Sequence, residues 1–267
     1  MKNYQPTLDI SETAKNITFF REANMSAFWE IYRPLIPYIL ALNFLDAVIS
    51  DIYFSESKNG FGLGGLVAAY FTTVLVISWH RVIIHGPDNY EPMNLFKPQK
   101  HELVFIGMGV LIAFGVSLVS FGLIFGAAMT KSVVIIFLAV LAVFALIYGA
   151  YRLCFYFPAQ AVNASITLNQ AFRMTKGYLW KLIASSLWAS SKILLLYIAL
   201  VVVGIVVFLG LIAIVGEGFS YTLGFFLVGI ISAVYFQPLL TIIGVTALSN
   251  YYLYEMQNKQ NSRDIQI

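Results

Sequence analysis

One carboxylate in this sequence stands where a carboxylate is costly. Asp46 lies thirteen residues beyond Arg33 in an otherwise apolar run, about 20 Å along a helix. An ionised acid held inside a bilayer costs at least about 2.5 kcal/mol. Asn43 and Ser50 stand one helical turn to either side, so the three residues form a polar stripe. Such a stripe either lines a path for a proton or cation, or supplies a structural hydrogen bond or ion pair. Asp51, close behind, also permits an early helix end with both acids near the outer surface.

Other residue types capable of chemistry are scattered. His80, His85 and His101 lie near Asp88 and Glu102, but they offer neither a His-x3-His spacing nor a cysteine partner, so neither zinc nor haem is expected. Cys154 is the single cysteine, which excludes an intrachain disulfide and reads as a small apolar filler. Gly60, Gly62, Gly64 and Gly65 resemble a phosphate loop only superficially, because no strand precedes them and no Lys-Ser/Thr pair follows. Neither a nucleophile–base–acid set, a pair of carboxylates nor a zinc-protease motif occurs. The chain reads as a non-enzyme without cofactor or metal.

The elements around these residues are membrane-like. The 267 residues are 60% hydrophobic and 11% charged, with a mean hydropathy of +0.81, whereas charged residues make up about a quarter of ordinary soluble domains. Apolar runs predict six spans, at Pro34–Tyr53, Phe61–Trp79, Leu103–Met129, Ser132–Tyr151, Ile193–Val215 and Tyr221–Leu248. Pro238 marks a bend in the last. Of the 16 Lys and Arg residues, thirteen fall before the first span, after the last, or in alternate connections; Lys58 and Lys131 stand opposite, and Lys192 edges a helix. That bias puts both termini in the cytoplasm. Basic residues interleaved with acids argue against a nucleic-acid partner.

The cytoplasmic segments carry their own pattern. Asp9 and Glu12 form a capping-box signature. Ile10, Ala14, Ile17, Phe20, Met25, Phe28 and Tyr32 follow at near-helical spacing. Residues 1–33 are therefore expected to form an amphipathic helix lying on the membrane surface. Residues 34–254 would then be the six-span bundle, and 255–267 a short cytoplasmic tail. Arg81, Arg152, Arg173, Lys176, Lys181 and Lys192 are candidate lipid-headgroup contacts. Gly107, Gly115, Gly122 and Gly126 share one face of the third span, a candidate for close helix packing within the chain or with a second subunit.

The stretch Ala171-Phe172-Arg173-Met174-Thr175-Lys176-Gly177-Tyr178-Leu179-Trp180-Lys181, with Arg152 and Phe157-Pro158-Ala159 upstream, resembles a cytoplasmic connection in bacterial six-helix inner-membrane proteins of the YciC-like family. It is similar also to the membrane domain fused to some glycerophosphodiester phosphodiesterases. That resemblance implies an inner-membrane helical bundle; the fused phosphodiesterase part is absent, and its activity is not implied.

The sequence thus predicts a single all-α polytopic transmembrane bundle with six spans and cytoplasmic amphipathic helices, in a bacterial inner membrane. The expected role is non-catalytic: an accessory, scaffold or membrane-homeostasis protein working through helix packing, with membrane lipids, itself or other membrane subunits as partners. The alternatives are a small transporter or channel using Asp46, and an accessory subunit of a larger respiratory or photosynthetic complex.

Overall fold

The computed structural model describes residues 4–41, 44, 63–215 and 231–264. Asn43, Asp46, Ser50, Lys58 and the start of the glycine-rich run lie outside the described residues, as do parts of the first and sixth expected spans. Among the described residues every regular element is helical: α1 (Ile10–Ala23), α2 (Met25–Tyr32), α3 (Leu63–His85), α4 (Lys100–Met129), α5 (Val133–Tyr151), α6 (Tyr156–Ala161), α7 (Leu168–Met174), α8 (Leu179–Val215) and α9 (Gln237–Asp264).

The N-terminal helix begins as its sequence indicates. Asp9 stays extended, and its carboxylate accepts from the Glu12 backbone N–H at 2.8 Å. The reciprocal half of the capping box is missing, because the Glu12 carboxylate takes the Thr7 hydroxyl at 2.9 Å instead. Asn24 separates α1 from α2, its side-chain amide donating back to the Phe20 carbonyl at 2.9 Å.

The apolar face of this helix, expected to rest on the bilayer, is covered by protein. Ile17, Phe20, Ala27 and Phe28 are all buried within the protein, with α1 packed on α8 and α9 and α2 packed on α3. Phe20 and Phe28 both meet the Trp79 ring edge-on, at centroid distances of 6.0 and 6.2 Å. Hydrophobic spacing shows that one face must be covered, but not by what. Here the cover is the bundle itself.

α3 and α9 pack together at the centre. Thr246, Ser249 and Asn250 form a buried polar row on α9. Trp79 Nε1 donates to Thr246 Oγ1 at 2.9 Å, and His80 Nδ1 meets Ser249 Oγ at 2.7 Å. The Asn250 side-chain oxygen accepts from the Thr7 backbone N–H at 2.9 Å, and its amide returns a bond to the Thr7 carbonyl at 2.8 Å. The first residues of the chain are thereby fastened to its last helix.

Two helix boundaries differ from expectation. α8 runs unbroken from Leu179 for 37 residues, about 55 Å, so the stretch before Ile193 is not a separate element. Ser185 and Ser190 are buried there, and Ser190 bonds back to its own helix. α9 likewise continues past the expected span end at Leu248, as far as Asp264. Before Pro238, Ser232–Phe236 form a π-helical turn. A wider turn accommodates a residue that has no N–H and whose ring would clash with the preceding turn.

Three segments, Lys100–Met129, Val133–Ala161 and Leu179–Val207, are long and apolar enough to cross a membrane. The α4–α5 hairpin is the plainest case. Phe114, Phe121, Val133 and Phe137 are 65, 68, 80 and 61% exposed, and Ala139 is the only buried described residue of α5. Helices apolar on every side and so little covered by protein are compatible with a lipid surrounding.

Candidate functional site

Charge is concentrated where α3 ends. Arg81 is 7% exposed, and each of its donor groups is engaged. Nε donates to the Ala161 carbonyl at 2.7 Å and one terminal nitrogen to the Glu91 carbonyl at 3.1 Å. The other terminal nitrogen reaches Glu102 Oε1 at 2.7 Å and His101 Nε2 at 2.9 Å. Glu102 is 1% exposed, and its second oxygen accepts from the Gln99 backbone N–H, completing a capping box on α4. One guanidinium thus ties together α3, the proline-rich connection, the start of α4 and the end of α6. A buried charge needs this degree of compensation.

Arg81 therefore points inward, and its charge is met within the protein instead of by a lipid headgroup. Arg152 is spent similarly. It donates to the Phe172 carbonyl at 2.6 Å and stacks over the Phe172 ring at 4.2 Å. Thr175, buried, returns a bond of 2.6 Å to the Arg152 carbonyl. Gly177 follows with φ +86°, a conformation that favours glycine. The residues Arg152, Ala171, Thr175 and Gly177 thus close the corner between α5 and α7, with Ala171 fully buried. Arg173, Lys176 and Lys192 are exposed and Lys181 is half-buried, so these four remain open to anionic groups.

The glycine face behaves differently from a packed interface. A Cβ added at Gly107, Gly115, Gly122 or Gly126 would meet nothing within 4 Å, so no other part of the described chain approaches those positions closely. Among the described residues no group of three or more His, Cys, Asp or Glu side chains could hold a metal ion.

At the rim of the charged layer, the Tyr90 hydroxyl donates to Glu30 at 3.3 Å, linking the proline-rich connection to α2. Burial, reinforced by the Glu30 carboxylate, pushes the Tyr90 phenol up to about 12.

The polar row Thr246-Ser249-Asn250 was not singled out by sequence reasoning. Its signal is present in the spacing: three polar residues at i, i+3 and i+4 on a helix whose other inward residues are apolar.

No family model matches this sequence, and no curated protein or solved structure shows significant similarity to it.

Proposed function

We propose that this chain is a non-catalytic, six-span integral membrane protein with both termini cytoplasmic, acting as a scaffold through helix packing and lipid contact. The observation that carries this reading is the α4–α5 hairpin, apolar around its circumference and bare of protein cover. The charge distribution supports the orientation. Arg173, Lys176, Lys181 and Lys192 are the basic residues left available for anionic headgroups.

Two measurements test the proposal. Alkaline carbonate should leave the protein in the membrane pellet; release into the wash would refute membrane integration. Purified protein in liposomes loaded with pH-sensitive or cation-sensitive dye should produce no flux. Protein-dependent flux abolished by Asp46→Asn would replace the scaffold with a transporter.

A further inference from the structure

A cavity of about 550 Å³ opens between α3, α4, α6, α8 and α9, within the range of about 300–1,000 Å³ common for small-molecule sites. Phe105, Phe157, Leu182 and Leu248 provide apolar wall. His80 also lines it, is 1% exposed, and leaves Nε2 without a hydrogen-bond partner among the described residues.

The other ring nitrogen fixes what Nε2 can do. Among the described residues, Nδ1 is the only acceptor that the buried Ser249 hydroxyl meets, at 2.7 Å. The hydroxyl therefore donates to Nδ1, and the proton of the neutral ring resides on Nε2. A buried N–H without an acceptor is costly. Water can meet Thr241, Ser186 or Tyr151 on the same wall, but it fills little of a mostly apolar cavity of this size. The fitting occupant is a chain-like apolar molecule carrying one acceptor oxygen. His80 adjoins Arg81, where apolar helix gives way to the charged layer; glycerol ester carbonyls of a bilayer lie at such a boundary.

We propose that this cavity binds one acyl chain of an ester-linked glycerolipid, its ester carbonyl accepting from His80 Nε2–H. The proposal rests on the membrane reading above and narrows lipid contact to a defined site.

The test uses purified full-length protein in nanodiscs of diether phosphatidylcholine. The photoprobe is a trace of ester phosphatidylcholine bearing a diazirine on its acyl chain. Label should fall on peptides containing Cys154–Phe157 and Ile183–Leu187. Unlabelled ester lipid should displace it about fivefold better than added diether lipid, the effect of one hydrogen bond. His80→Phe should remove that preference. Gly244→Leu, which fills the cavity from a position where a Cβ meets nothing within 4 Å, should remove the label. Equal displacement by the two lipids, or labelling confined to the α4–α5 hairpin, would overturn the site. Equal displacement in a protein that resists carbonate extraction removes the His80 site alone, whereas extraction by carbonate removes the membrane reading with it.

Discussion

Arg81 and Glu102 form an ion pair of 2.7 Å in which the side chains are only 8 and 1% exposed. Neither residue serves a surface. Their charges are exchanged between two helices, and the remaining donors of Arg81 hold backbone carbonyls on two further segments. Removing one partner leaves the other charge buried and uncompensated. Glu102→Gln or Arg81→Met should each destabilise the protein by about 3–5 kcal/mol. The double variant Arg81→Met/Glu102→Leu should lose less than the sum of the two. Thermal unfolding in detergent measures this; fully additive losses would argue against a coupled pair.

Asn250 makes a second long-range connection. It accepts from the Tyr4 hydroxyl at 3.2 Å and exchanges two bonds with the Thr7 backbone. Asn250→Leu should cost about 1–3 kcal/mol, the range for buried polar groups left unpaired. Hydrogen exchange should rise across residues 4–17 and stay unchanged in the α4–α5 hairpin. Uniform acceleration would mean that Asn250 supports the whole bundle rather than one docking contact.

Orientation can be read with single cysteines in a Cys154→Ser background. Cysteines at Lys58 and Lys131 should react with an impermeant thiol reagent in intact cells, and those at Lys97 and Lys176 only after lysis. Lys131 occupies the tight turn between α4 and α5, with φ 54°, so a cysteine there is well placed to report the far side of the hairpin. The reverse labelling pattern would invert the topology.

Tyr90 supplies a pH dependence. Its folded-state phenol is raised from 10.0 to about 12 by burial and the Glu30 carboxylate. Its contribution is therefore complete below pH 10 and declines as pH rises from 10 to about 12, because the unfolded chain releases the proton first. Tyr90→Phe should lower stability modestly at neutral pH, through loss of the hydrogen bond to Glu30, and flatten the alkaline stability profile in that window. An identical profile in the variant would show that the phenol contributes nothing to alkaline sensitivity.

Three of the expected spans and the α1 cap were readable because they depend on neighbours in sequence. The bare α4–α5 hairpin follows from uninterrupted apolar residues, and the α1 cap from Asp9. What covers a face was not readable. Ile17 and Phe20 have the same spacing whether they meet a bilayer or another helix, and only the meeting of α1 with α8 and α9 decides it. Arg81 likewise looked like one more basic residue at a helix end, because its partner Glu102 is 21 residues away. The glycine face was legible as a pattern but not as a contact. Asp46, Asn43 and Ser50 lie outside the described residues.

The bond between Thr7 and Asn250 spans 243 positions of chain. A ribosome moving at about 5–20 residues per second needs on the order of ten to fifty seconds to cover that interval. Throughout it, the apolar side of α1 has been made but much of its final resting place on α9 has not. Until then, of the two helices on which α1 packs, only α8 can cover that face. Docking of α1 is consequently a late act of assembly, completed only after α9 has been synthesised.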